Sequence, residues 1–469
     1  MMKNILYVFA DQWRKTALGF EGEPVQTPRM DEFAAESLVF DQAISSYPLC
    51  SPHRAALLTG KYPYACGMWT NCKIGLDEVV CLKPQEVTFG EVFKEHGYQT
   101  AYIGKWHLDA SEKNFFKEPA STAKEWDAYT PDGERRHGFD YWFSYGAMDE
   151  HLNPHYWQSS QQPIYPGSWS VEVETNRALG FLQNRDQTKP FCMVISWNPP
   201  HPPYEQVPDK YLAAQPEAAD FSPNVPAEWR EDPAYLKKYR EYYAAIRGLD
   251  ENFGRLLDYL EAAGLKEDTI VILSADHGDM MGSQGLMGKN IWYEESIRIP
   301  FMVRGKGIAP GRTDTLFASM DHMPTLLDLA GLPIPDTVQG KSFLPLIDPA
   351  GAAQDLTNQA YRRQTETEAV FLSMIPGMPE LIAPYRQLGL NNKAFGWRGL
   401  RGKDFTYVID NGIEPGKKQK RYYYDLTKDP YQLSPVVLSP HDEFCRKWDP
   451  VLEEHLQLIQ DPFLMQSIF

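Results

Sequence analysis

Four short apolar runs in this chain each end abruptly on polar or charged residues, and that recurrence constrains the fold more than any other feature. "NILYVFAD" closes on Asp11-Gln12, "GYQTAYIGKWH" on Lys105-Trp106-His107, "PFCMVISWNPPH" on His201 and "TIVILSADHGD" on Asp276-His277. Runs that are apolar at nearly every position suit strands buried on both faces, as in a parallel sheet. Helical segments lie between them. Thr27 is placed to cap a helix that has Pro28 at its first position and Met30, Phe33 and Ala34 at helical spacing. "VTFGEVFKEHG" is a helix stopped by Gly97, "YLKKYREYYAAIRGLDENFGRLLDYLEAAGL" is long and helical, and "MPTLLDLAGLP" stops at Gly331 and Pro333. Alternation over residues 4–345 predicts an α/β fold, a mostly parallel sheet sandwiched by helices.

After about residue 380 the pattern changes. "FGWRGLRGKDFTYVIDNG" and "KQKRYYYDLTKDP" read as antiparallel strands joined by turns, with a last helix near Asp449–Gln460. The expected division is a catalytic domain over 1–380 and a smaller α+β subdomain over 381–469. Residues 108–190 and 205–232 are rich in Pro, Gly and aromatic residues and read as insertions rimming a pocket.

The net charge of −17 argues against a nucleic-acid or anionic-membrane surface, while leaving room for an anionic substrate in a lysine-lined pocket. Six cysteines in 469 residues are too few for a disulfide scaffold, and all but Cys50 read as structural thiols. No run reaches the length of a membrane helix, and the first apolar stretch is too short and too soon polar for a signal peptide, so a cytoplasmic location is expected.

In open α/β sheets, ligands gather at the carboxyl ends of strands, where these polar residues fall. Asp11, Gln12 and Asp276 offer the hard oxygens preferred by Ca²⁺ or Mg²⁺, and His277 offers a nitrogen. Read alone, Asp276 equally suits a turn cap before Gly278. In "YPLCSPHRAALLTGK", Pro52 fits the first turn of a helix that Gly60 ends, so Cys50 stands at its N-terminus, where N–H groups and the helix dipole favour negative charge. Arg54 lies one turn inside. A thiolate would suit this place, and so would a group holding an anionic ester.

The core Cys50-Ser51-Pro52-His53-Arg54, continued by "AALLTGK", resembles the signature of formylglycine-dependent sulfatases. "ADQWR", "TPRMDEFAAESLVF", "GYQTAYIGKWHL", "NPPHPPY", "ILSADHGDMMGSQGLMGK" and "MDHMPTLLDLAGLP" follow in that family's order, and "YYYDLTKDPYQ" resembles its C-terminal subdomain. The resemblance implies an alkaline-phosphatase-like fold and hydrolysis of a sulfate ester by the hydrate of a formylglycine that a maturase makes from Cys50. It implies one divalent cation, Ca²⁺ by preference, held by Asp11, Gln12, Asp276, His277 and residue 50. Lys105 and Lys289 would grip sulfate, His201 would protonate the leaving alcohol, His107 would take a proton from the second hydroxyl, and Arg54 would hold the modified residue. Asn71 would meet the nucleophile region.

Without that resemblance, Lys289 reads as a surface lysine and His107 as a core histidine. Many sulfatases carry Asp-Asp where this chain has Asp11-Gln12, a pairing also found in related phosphonate monoester and phosphodiester hydrolases, which form the alternative enzyme class. Lys105 and His107 favour the sulfatase. A further alternative is an unmodified pseudoenzyme that binds anionic sugars. "FSYGAMDEHLNPHYW" gathers His151, Asn153 and His155 with aromatic residues, which suits a sugar ring or simply a packed loop. A carbohydrate sulfate is the expected substrate.

Overall fold

In the computed structural model, which describes residues 2–213, 221–349 and 367–465, the four apolar runs are strands of one eight-stranded sheet. They are β1 (Asn4–Ala10), β3 (Gln99–Lys105), β5 (Phe191–Trp197) and β6 (Thr269–Ala275); β2 (Leu38–Ile44), β4 (Tyr141–Tyr145), β7 (Phe301–Arg304) and β8 (Gly311–Ala318) complete it. The order is β4-β3-β5-β1-β6-β7-β2-β8, and only the two pairings made by β7 are antiparallel. Every residue of β1, β5 and β6 is buried, which is why these strands are apolar throughout rather than alternating. Helices Pro28–Ala35, Ser170–Asn184 and Pro233–Ala262 pack together as one covering layer; Cys50–Thr59, Phe89–Glu95 and His322–Leu329 form the other.

A second, antiparallel sheet has the order β13-β12-β11-β10-β9, with β9 (Ala369–Met374), β10 (Trp397–Gly402), β11 (Phe405–Asp410), β12 (Lys420–Asp425) and β13 (Val436–Val437). Its first strand therefore lies ahead of residue 381. Helix Glu443–Leu458 covers it and begins six residues before the expected Asp449. Pro450 falls inside that helix instead of opening it, because Cys445, Trp448, Leu452 and Leu456 form one buried stripe that holds the helix on the sheet. Ile44, Tyr47, Leu49 and Trp292 share one apolar cluster with Leu372, Trp397, Val408 and Tyr424, so the two sheets are joined by an apolar seam.

Two further expectations change. Thr27 does not cap the Pro28–Ala35 helix; its hydroxyl bonds Asp31, and the Asp250 carboxylate accepts the Arg29 and Met30 amides at 3.3 and 2.7 Å. Residues 108–190 are not wholly an insertion. The aromatic segment "YWFSY" is the edge strand β4, and Ser170–Asn184 is a sheet-covering helix.

Candidate active site

Strands β3, β5, β1 and β6 are neighbours and end at one edge. Ala10 stands opposite both Trp197 and Ala275, and Gly104 opposite Ser196. The residues that follow each strand are thereby brought to one buried place, as the carboxyl-end rule requires. Gly104, just before Lys105, has φ +101°, and a Cβ there would lie 2.1 Å from the Ser196 carbonyl oxygen. Only glycine lets β3 turn Lys105 inward so close to β5.

Cys50 is the first residue of its helix, and all ten residues of that helix are buried. Its Sγ lies 3.5 Å from Asp11 Oδ1, 3.4 Å from His277 Nε2, 3.3 Å from Lys289 Nζ and 3.9 Å from Lys105 Nζ. Burial and Asp11 act to raise the thiol pKa, but Lys105, Lys289 and His277 outweigh them and hold it well below the ordinary value. The Ser51 amide donates to Asn71 Oδ1 at 2.9 Å, so Asn71 caps this helix from outside it.

Arg54 ties the cluster together. Its Nη2 meets Asp11 Oδ2 at 3.0 Å, Nε meets Asp276 Oδ2 at 3.2 Å, and Nη1 donates to the Lys105 carbonyl and to Ser196 Oγ, each at 2.7 Å. The guanidinium also lies over the Phe9 ring, 4.8 Å from its centre. Lys105 Nζ bonds Asp11 Oδ2 at 2.6 Å and Asn198 Oδ1 at 3.1 Å; Lys289 Nζ bonds Gln12 Oε1 at 2.6 Å. Burial opposes the charge on Asp11, and Lys105, His201, Lys289 and Arg54 more than restore it.

Asp11, Cys50, Asp276 and His277 place ligand atoms all within 4.8 Å of one another. His277 Nε2 lies 3.5 Å from both Asp11 Oδ1 and Asp276 Oδ1, while its Nδ1–H donates to the Gly278 carbonyl at 3.0 Å. That bond keeps one proton on Nδ1 and turns Nε2 to two carboxylates. Burial opposes charge on the ring, but Asp276 outweighs it and raises the pKa. With Nε2 deprotonated the donor set fits a divalent cation. Gln12, with φ +64°, sits beside them: its amide nitrogen bonds Asp279 at 2.6 Å, which turns its oxygen toward Lys289.

The histidines divide. His107 is buried with φ +51°; Nε2–H donates to the Cys72 carbonyl at 3.3 Å, and Nδ1 lies within hydrogen-bond distance of no described residue, with Cys50 as its nearby ionisable neighbour. Burial lowers its pKa, with Cys50 acting the other way. His201 is half-buried, and its Nδ1–H donates to the Pro202 carbonyl at 2.7 Å with Asp149 at 3.4 Å. His151 stands behind it, its Nε2–H donating to the His201 carbonyl at 2.8 Å. His155 is engaged elsewhere: its Nε2 lies 2.6 Å from Asp127, and its ring packs edge-on against Trp157. It makes no hydrogen bond to the Cys50 cluster among the described residues.

A cavity of about 590 Å³ opens beside this cluster, with Leu49, Asn71 and Lys289 on one wall and residues of the second sheet, Trp397 and Tyr422 among them, on the other. The protein-family model for sulfatases matches residues 3–332. The chain belongs to the sulfatase family. Two relatives span it nearly end to end. An "Endo-4-O-sulfatase" of Bacteroides thetaiotaomicron is 35% identical, covering 99% of this chain and 94% of that protein. A "Ulvan-active sulfatase" of Formosa agariphila is 34% identical, covering 99% and 83%. A solved structure described under the metabolism of multiple glycosaminoglycans by Bacteroides thetaiotaomicron superposes with a TM-score of 0.86 at 34% identity, covering 98% of this chain and 97% of that one. The fold of this sulfatase is alkaline-phosphatase-like, and the enzyme is a sulfuric ester hydrolase.

Three residues of this sulfatase site escaped the sequence reading. Asn198 holds Lys105, Ser196 holds Arg54, and Asp279 orients Gln12 while accepting the Tyr204 hydroxyl. Asn198 directly follows the apolar run that ends at Trp197, and Asp279 lies three residues past Asp276, which was the signal available. Ser196 carried none, being one inward position of an apolar strand.

Proposed function

We propose that this sulfatase hydrolyses a sulfate monoester carried by a carbohydrate, using formylglycine at residue 50 and one divalent cation. The observation that carries the proposal is the convergence of Lys105, Lys289 and His277 on a single buried sulfur, that of Cys50. Asp11, Gln12, Asp276, His277 and residue 50 would hold the cation. The hard carboxylate oxygens of Asp11 and Asp276 and the amide oxygen of Gln12 are the donor type Ca²⁺ prefers, so Ca²⁺ is the ion proposed. The cation, when bound, supplies positive charge that favours a sulfate oxygen and an ionised nucleophile beside it. Formylglycine, when formed and hydrated, supplies an oxygen nucleophile with a second hydroxyl on the same carbon.

The remaining roles belong to side chains already placed. Lys105 and Lys289 approach residue 50 from two sides and hold the sulfate oxygens as negative charge shifts during S–O cleavage. His107 Nδ1 has no hydrogen-bond partner among the described residues and neighbours Cys50, and the Cys72 carbonyl keeps its proton on Nε2, so it accepts a proton from the second hydroxyl. His201, half-buried, has Nδ1–H fixed by Pro202 and presents Nε2–H to the departing alcohol. Asn71 and His151 position rather than react: one caps the Cys50 helix, the other holds the His201 loop. The sugar preference rests on relatives named for ulvan and for N-acetylglucosamine 6-O-sulfate and on the cavity's aromatic wall.

The test is co-expression with a formylglycine-generating maturase, peptide mass spectrometry at residue 50, and assay of sulfated mono- and disaccharides beside a phosphonate monoester. The expected result is an aldehyde mass at residue 50 and fastest turnover of a sugar sulfate. A thiol mass in the active preparation, or faster turnover of the phosphonate, overturns the reading.

A further inference from the structure

The proposed chemistry uses two lysines, but a third lies buried near them with no anion. Lys73 is 3% exposed, lines the cavity beside the site, and forms no ion pair among the described residues. Among the described residues its ammonium meets only the Met378 sulfur, at 2.9 Å, and the face of Trp126, 5.0 Å from the ring centre. Both are weak substitutes for water or a carboxylate. A buried cation without a counter-charge is costly, and a protein keeps one where a ligand completes it. Burial pushes its pKa down to about 8, with solvent-facing Glu380 opposing from beyond ion-pair distance, so it remains largely protonated at neutral pH.

Its position links it to the reaction. Asn71, two residues earlier, caps the Cys50 helix, and the Trp126 ring beneath Lys73 lies 6.2 Å from that of His107. Across the cavity, the turn before β12 contributes Lys418, and the first residue of β12 is Lys420, both exposed and without ion-pair partners among the described residues. Asp410, the cavity's one acidic lining residue, stands opposite Lys420 in the β11–β12 register, and its carboxylate accepts the Gly412 amide. The field between the two sheets is thus positive in a chain whose net charge is −17.

We infer that Lys73 is a specificity-determining residue that binds a second anionic group, carboxylate or sulfate, on the saccharide whose sulfate ester is cleaved at residue 50, with Lys418 and Lys420 steering that polyanion into the cavity. This rests on the sulfatase reading for the position of the scissile ester and adds that the substrate carries at least two negative charges.

Binding separates the two ideas. The Cys50 protein made without maturase folds around the same cavity but cannot turn over, so calorimetry on it reads recognition alone. The probes are a monosulfated disaccharide containing a uronic acid, its carboxyl-reduced counterpart, and a disulfated disaccharide without carboxylate. In K73Q the uronic-acid or the disulfated probe, whichever the wild type prefers, is expected to bind about tenfold more weakly, the worth of one charge-assisted hydrogen bond. The carboxyl-reduced monosulfate should change less than about twofold, because it lacks the group Lys73 would meet. K73R should regain part of the difference. In K418S/K420S, whose positions are exposed and tolerant, affinity should fall and its dependence on salt should flatten. Equal losses for all probes, no loss for any, or no binding by the wild type overturns the inference. A wild type that binds in this pattern but, once matured, hydrolyses no sulfate would overturn the proposed function and leave Lys73's role standing.

Discussion

At the residue scale the arrangement turns on Arg54, because it alone touches both carboxylates, the backbone of Lys105 and the strand residue Ser196. Removing it leaves Asp11 and Asp276 buried with fewer partners, a defect worth about 3–5 kcal/mol. Lysine does not repair it, since one ammonium replaces a planar fork that reaches three directions. R54K is therefore expected to lower denaturant-measured stability by several kcal/mol and abolish turnover; wild-type stability in R54K would refute this role. A cation at the neighbouring donor set should act in the opposite sense. Dialysis against a chelator should lower the melting temperature, and Ca²⁺ at about a hundred times its Kd should restore about 2.7 kcal/mol. Arg54 was visible in the sequence as part of a motif. Its partners were not all visible, because Ser196 looks like any small residue in a buried strand.

At the element scale, the four central strands β1, β3, β5 and β6 were legible because double-sided burial demands unbroken apolar runs, as in "FCMVISW" of β5. Helix ends were less so. Thr27 has the right chemistry for a cap, yet the structure uses Asp250 from the long Pro233–Ala262 helix, a choice that depends on how two helices pack. The last helix starts before the expected Asp449 for the same kind of reason, since its buried stripe outweighs the hydrogen bond lost at Pro450. Gly104 is where a strand and the chemistry meet. G104A should cost about 2–4 kcal/mol from positive φ and contact with Ser196, and should lower activity further by displacing Lys105. Urea denaturation and a steady-state assay would check both; an alanine variant of unchanged stability would count against the close approach of β3 and β5.

At the scale of the molecule, the apolar seam around Leu49, Trp292, Leu372 and Trp397 makes the two sheets one cooperative body. Calorimetry should show one unfolding transition whose calorimetric and van't Hoff enthalpies agree; two separated transitions would deny the seam that role. Acid should weaken this body through His322, buried against the Tyr7 hydroxyl at 2.6 Å and held by burial to a pKa of about 3. Unfolded, the imidazole titrates near about 6.5, so between those values the unfolded chain binds a proton that the folded chain refuses. Stability should accordingly fall as pH drops through that window, by up to about 1.4 kcal/mol per unit, and H322N should show a shallower slope in melting experiments. An identical slope would mean that other groups carry the acid sensitivity. The sequence alone determined that four apolar segments are buried strands, that each runs into polar or charged residues, and that Cys50 opens a helix, because burial on both faces and helix-end geometry are local demands. Only the tertiary structure decided that β3, β5, β1 and β6 lie side by side, that His155 turns away to Asp127 while His151 braces the His201 loop, and that a lysine-lined cavity opens against the second sheet. Strand order, and the cavity between two sheets, arise from contacts between residues far apart in the chain, and no local pattern encodes those contacts.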